Sequence, residues 1–285
     1  MVVDVLAAMT AAVAYGVAAV LQTVVARRVA MASGLDPTLL VRMTRQPAFV
    51  VALALNLLGY ALHLVALRTL PLFLVQAAIA SSVAVTAVLS GPVLGTVLSP
   101  RDRLAVAGAA IGLALLTFGS GGTEGDTLAS AGRWLLVAGA AVVGITGVLA
   151  ARVPGHTGAA LLGVVAGLGY AVVGIGSRVL PDLSPARLVT DPAAYAVVFS
   201  GVVAFLLYAT ALQRGEIMTA TGPMVVGQTV VPSLVGLGLL SDSIRAGWEV
   251  PALVGLVLAV WGAVQLGRRP PAGLAAPPRP PSTVP

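Results

Sequence analysis

The sequence predicts an all-α, polytopic membrane protein with about nine transmembrane helices, and three observations carry that prediction. First, 58% of its 285 residues are hydrophobic and 9% are charged, and the mean hydropathy of +1.02 lies far from that of a water-soluble domain. Second, nine apolar stretches each approach the roughly 20 residues that a helix needs to cross a hydrocarbon core of about 30 Å, where lipid offers the backbone no hydrogen-bond partner. Third, the first four stretches recur in order as the last four, with one unmatched stretch between them.

The stretches cover residues 5–26, 47–67, 71–95, 104–121, 134–151, 159–177, 193–213, 217–240 and 250–267. Segment 1 follows only Met1-Val2-Val3-Asp4, without the basic start of a cleavable signal, so it is expected to be retained as a span. Connections carry Pro, Gly and charge, as in Ser33-Gly34-Leu35-Asp36-Pro37, Ser120-Gly121-Gly122-Thr123-Glu124 and Leu180-Pro181-Asp182. The chain therefore divides into a first four-helix repeat (1–122), a central linking helix (123–157), a second four-helix repeat (158–267) and a Pro-rich tail (268–285) expected to be disordered.

Charge gives the orientation. All sixteen basic residues are Arg. Eleven lie in the loops after segments 1, 3, 5 and 7 and in the tail, and the other five are Arg68, Arg133, Arg178, Arg187 and Arg245. The positive-inside rule then places the N-terminus outside and the C-terminus in the cytoplasm. These arginines stand singly beside spans, so the net charge of +6 predicts no nucleic-acid partner. Cysteine is absent, which excludes disulfides and thiolate metal sites.

The repeat can be followed residue by residue. Ala14-Tyr15-Gly16 matches Gly169-Tyr170-Ala171, and Gln22 falls opposite Ser177. Leu35-Asp36-Pro37 parallels Leu183-Ser184-Pro185, Gln46-Pro47 parallels Asp191-Pro192, and Ala66-Leu67 parallels Ala211-Leu212. Five crossings separate segment 1 from segment 6, so the halves run with opposite polarity: an inverted 4+1+4 repeat.

Such repeats place a solute site near the midplane, where discontinuous helices expose backbone groups. Segment 8 carries Gly222, Pro223, Gly227 and Pro232 and is expected to be that broken, hinge-like helix, with Gln228, Thr229 and Ser233 beside the freed carbonyls. Its partner, segment 3, offers Gln76, Ser82 and Thr86. On segment 2, Asn56, Tyr60 and His63 stand at i, i+4 and i+7, which puts them on one face. His63 is the one imidazole within a span, a group able to exchange a proton near neutral pH. Tyr15, Gln22 and Tyr170 complete the candidate lining by symmetry, while Gly108/Gly112 and Gly163/Gly167 have the spacing of close helix packing.

The chain resembles the drug/metabolite transporter superfamily, whose EamA-like repeats carry an Ala-Leu, a Leu-Gly-Glu turn and a Gly-rich helix. The matching residues are Ala66-Leu67, Leu94-Gly95-Thr96 and Gly108-Ala109-Ala110-Ile111-Gly112, then Ala211-Leu212, Leu240-Ser241-Asp242 and Gly255. Thr96 and Asp242 stand where that family has its turn Glu. The nine-span layout is similar to the NIPA-type branch, and Leu74-Val75-Gln76-Ala77 and Gly222-Pro223-Met224-Val225 occupy positions where that branch has Pro-containing helix segments. The branch implies magnesium transport, yet no Asp, Glu, Lys or Arg lies mid-span, and magnesium is usually held through carboxylates.

The expectation is thus a non-enzymatic, multi-pass secondary transporter of the cytoplasmic membrane, moving a small, mostly neutral, zwitterionic or weakly basic solute by alternating access. A divalent-cation transporter and a non-transporting scaffold or lipid-handling protein are the alternatives. No cofactor or resident metal is implied; the partners are the solute and the bilayer, and the sequence leaves open whether a second copy joins in a homodimer.

Overall fold

The structure, a computed structural model, describes residues 2–26, 28–29, 35–94, 99–123, 128–180, 184–215 and 217–267. Its elements are α1 (Val2–Ala26), α2 (Thr38–Thr44), α3 (Pro47–Leu67), α4 (Leu72–Ala80), α5 (Ser82–Leu94), α6 (Pro100–Gly119), β1 (Ser120–Thr123), α7 (Ser130–Ala150), α8 (Gly155–Val179), α9 (Pro185–Thr190), α10 (Pro192–Arg214), α11 (Ile217–Leu239), β2 (Asp242–Ile244) and α12 (Glu249–Gly267). Among the described residues, seven helices are long and apolar enough to cross a membrane: α1, α3, the α4–α5 run, α7, α8, α10 and α11. Segments 4 and 9 form α6 and α12, whose apolar stretches, Arg103–Gly119 and Glu249–Gly262, are shorter. The tail 268–285, Arg27, the Gly95-Thr96 turn, Pro181-Asp182 and Glu216 lie outside the described residues.

Proline placement fixes where two long helices start. Pro47 and Pro192 open α3 and α10, where a missing N–H removes no helical hydrogen bond. Each also pushes the preceding residue into extended backbone: Gln46 has φ −97°, ψ 121° and Asp191 has φ −92°, ψ 119°. The short helices α2 and α9 therefore stop there. Asp191 also accepts the Ala193 N–H (2.9 Å) and pairs with Arg133, tying α7 to the start of α10. Ahead of α2, Asp36 accepts from the Thr38 hydroxyl (2.7 Å) and N–H (2.9 Å) and pairs with Arg42 at 2.5 Å. Those bonds, the Thr38 hydroxyl's first, hold its carboxyl below the usual carboxylate range.

Three features depart from the sequence expectation. Segment 8, expected to be broken at Gly222, Pro223, Gly227 and Pro232, is one continuous helix, α11, with both prolines inside it. The hydroxyls of Thr221 and Ser233 bond Ile217 O (2.6 Å) and Thr229 O (2.7 Å), beside the carbonyls of Thr219 and Gln228 whose usual donors proline removes. The interruption falls instead in segment 3, between α4 and α5, where the Ser81 hydroxyl turns back onto Ala78 O (2.6 Å). Finally, the chain is not purely helical: β1 and β2 pair antiparallel, Ser120 with Ile244 and Thr123 with Asp242. Segment 4 therefore ends at Gly119, and the expected boundary after residue 122 falls inside a strand. The Gly121-Gly122 pair disfavours helix, and a Cβ on Gly121 would lie 2.9 Å from Arg245 N.

Packing repeats itself in the two halves. α1 packs against α3, α4 and α5, α8 packs against α10 and α11, and α6 lies along α12. Glycine lets these backbones approach: a methyl on Gly112 would sit 2.5 Å from Gly255 O, and one on Gly163 or Gly167 would sit 2.4 Å from Ala220 O or 2.3 Å from Met224 O. Gly167→Ala is accordingly expected to destabilise the protein by about 1–3 kcal/mol, since the obstacle is backbone and cannot rotate away; a thermal or SDS unfolding midpoint in bicelles checks it. Two apolar cores result. One gathers Leu39, Met43, Phe49, Leu162, Leu207 and Leu212, the other Leu67, Leu72, Phe73, Val179 and Leu240. The first uses the beginning of α3 and the end of α10, the second the reverse.

Beside the second core, at the start of α4, lies a buried ionic knot. Asp242 Oδ2 accepts the Leu72 N–H at 2.6 Å, and its other oxygen lies 3.6 Å from the Arg178 guanidinium. Arg178 also donates to Leu67 O at 3.0 Å. A carboxylate from β2 thus caps a helix of the other half, α4, whose own N-cap residue, Pro71, supplies no side-chain bond.

Candidate functional site

Between the two cores lies a cavity of about 510 Å³, within the range of small-molecule sites. α1 contributes Tyr15, Ala19 and Gln22, one stripe at i, i+4 and i+7. From α3 come Phe49, Leu53, Asn56, Leu57, Tyr60 and His63, so the stripe read from the sequence faces the cavity. Gln76, Ser82 and Thr86 enter from α4 and α5, Tyr170 from α8, and Gln228 from α11.

Several of these polar groups are tied within the protein. Asn56 donates to Ala52 O in its own helix (2.8 Å), and Tyr60 shares a hydrogen bond with Ser177 (2.8 Å), which joins α3 to α8. The edge of one ring meets the face of the other between Tyr60 and His63, centroids 6.1 Å apart. Thr86 donates to Ser82 O (2.9 Å) and approaches Gly16 O (3.3 Å). The Tyr15 ring lies over Gly59, where a Cβ would come within 3.0 Å of it. Three groups are different. Gln22, Gln76 and His63 are 2%, 2% and 5% exposed, yet Gln22 Oε1, Gln76 Nε2 and His63 Nε2 have no hydrogen-bond partner in the protein. A buried polar group left so costs about 1–3 kcal/mol unless water or a solute meets it.

Thr229 and Ser233 are not brought to the cavity. Both are buried, at 1% and 0% exposure, but the face of α11 that lines it is Thr221, Met224 and Gln228, spaced i, i+3 and i+7. Thr229 lies about 100° around the helix from Gln228, and Ser233 follows it at i+4. Gly222, Pro223, Gly227 and Pro232 do not line the cavity either; Gly227 instead faces the Gly167 backbone. The sequence reading left Tyr208 and Thr221 out of the lining. They share a 2.7 Å hydrogen bond at the wall, and the signal for Tyr208 was its register opposite His63 in the repeat. Leu40 and Thr44 of α2 were missed as well.

The lining has one titratable imidazole and four phenols but, among the described residues, no Asp, Glu or Arg. Nor, among the described residues, do three or more His, Cys, Asp or Glu gather where a metal ion could be held. Chemically the cavity can accept and donate hydrogen bonds to an uncharged or charge-balanced group and can stack aromatic faces on it; it offers no fixed countercharge. Compared with protein-family models, with curated proteins and with solved structures, the chain has no match.

Proposed function

We propose that this chain is a secondary transporter of the drug/metabolite type, carrying a small neutral, zwitterionic or weakly basic solute across the cytoplasmic membrane by alternating access. The observation that carries the reading is the uncharged cavity with three buried, unpartnered polar side chains, set between helices that pack alike in the two halves. In this reading α6 and α12, of 20 and 19 residues, are the fourth span of each half, since such helices reach about 30 Å. That completes nine spans as an inverted 4+1+4 repeat, N-terminus out and C-terminus in, with rocking of one helix group against the other as the transport step. The magnesium alternative lacks a carboxylate in the cavity wall.

Thermal unfolding in detergent against magnesium, other divalent cations, amino acids, amines and nucleobases tests it. A solute present at 100 times its Kd stabilises the folded state by about 2.7 kcal/mol. One organic class is expected to raise the midpoint, and Gln22→Ala to abolish that rise. A rise with magnesium alone would overturn the proposal.

A further inference from the structure

We infer that solutes reach this cavity sideways, from the hydrocarbon interior, through a gap between α3 and α10, and that its ligands are uncharged amphiphiles with a hydrogen-bonding head and an apolar tail. The inference rests on the transporter reading above and names its substrate class and route.

α3 and α10 both wall the cavity but make little contact with each other. They meet where the rings of Phe49 and Phe205 approach to 6.0 Å. Further along α3, the Tyr60–Ser177 bond fastens it to α8. Between those two fastenings the wall is open. Leu57, Val198 and Val202 line the cavity and yet are 62%, 67% and 58% exposed. A side chain that faces the cavity and is also that exposed stands on its rim. Leu57 is the middle residue of Pro47–Leu67 and Val202 lies near the middle of Pro192–Arg214, so the rim lies at mid-depth, where the surrounding solvent is lipid chain.

The polarity is sorted to match. Leu57, Val198 and Val202 form the rim between α3 and α10, and exposed Thr44 marks a separate edge of the cavity at α2, while Gln22, Gln76 and His63, with their unpartnered atoms, are the buried part. An ion or a strongly hydrated solute would have to shed its water in hydrocarbon before passing that rim. An amphiphile already dissolved in the bilayer would not: its head would gain the amides and imidazole, and its tail would remain among Leu and Val.

The chain has no native cysteine, so Leu57→Cys/Val202→Cys in nanodiscs can be closed with a bifunctional methanethiosulfonate and reopened with reductant. The probe is N-decyl dansylamide, whose fluorescence rises in an apolar site. Bridging is expected to slow its association about tenfold, reductant to restore the rate, and Gln76→Ala to weaken its equilibrium binding without changing the response to the bridge. The reduced double variant is the folded control. An association rate indifferent to the bridge, with binding still weakened by Gln76→Ala, would overturn the lateral route and leave the transporter reading standing. Binding indifferent to Gln76→Ala, or no binding, would overturn the ligand class, while the solute panel above judges the transporter reading separately.

Discussion

Asp242→Ala is expected to destabilise the protein by about 3–5 kcal/mol, because it removes the buried carboxylate that the Arg178 guanidinium faces at 3.6 Å. The side chain of Asp242 is fully buried and that of Arg178 is 7% exposed, so both charges are largely withdrawn from solvent. The Leu72 N–H loses its acceptor at the same time. Asp242→Asn keeps an acceptor for that N–H but not the charge, and should fall between Ala and the native residue. The double variant Asp242→Ala/Arg178→Leu should be clearly less unstable than the two single effects added, because the two side chains interact directly and their effects are coupled. SDS or thermal unfolding of the four proteins in bicelles measures this. Strict additivity would mean that the pair acts only through unrelated packing.

Gln76→Leu is expected to stabilise the empty protein by about 1–3 kcal/mol and to abolish solute binding. The sign follows from burial: Gln76 is 2% exposed and its Nε2 has no protein partner, so an apolar replacement of similar size removes an unmet polar group rather than a bond. Gly174 sharpens the test, since a Cβ there would lie 2.3 Å from Gln76 Nε2. Gly174→Ala should therefore swing the amide aside, weakening binding while retaining the fold. A midpoint that rises for Gln76→Leu, with loss of the ligand-induced shift, is the expected pair of results. A falling midpoint would show that the amide is a structural bond and not a waiting contact.

Sequence periodicity made the inner faces of the helices legible. Asn56, Tyr60 and His63 share a stripe by spacing alone, and the Tyr15/Tyr170 correspondence pointed to the same space from both halves. It failed where polarity was read without angle: Gln228 and Thr229 are neighbours in the chain, but Gln228 alone of the two lines the cavity. Counting breakers was equally misleading, since the two prolines of α11 are accommodated while Ser81, with no breaker beside it, interrupts segment 3. Contacts distant along the chain left no local trace. Nothing around Asp242 announces that its carboxylate caps α4, and the glycines of β1 read as a loop because their partner strand lies in the other half.

That carboxylate also sets an order of assembly. Leu72 and Asp242 are 170 residues apart, so the amide that opens α4 waits for its acceptor until nearly the whole described chain has been synthesised and inserted. β1 waits for β2, and Gly112 for Gly255, in the same way. The contacts that α4, β1 and Gly112 make with residues 242–255 can therefore form only after that part of the chain has been made.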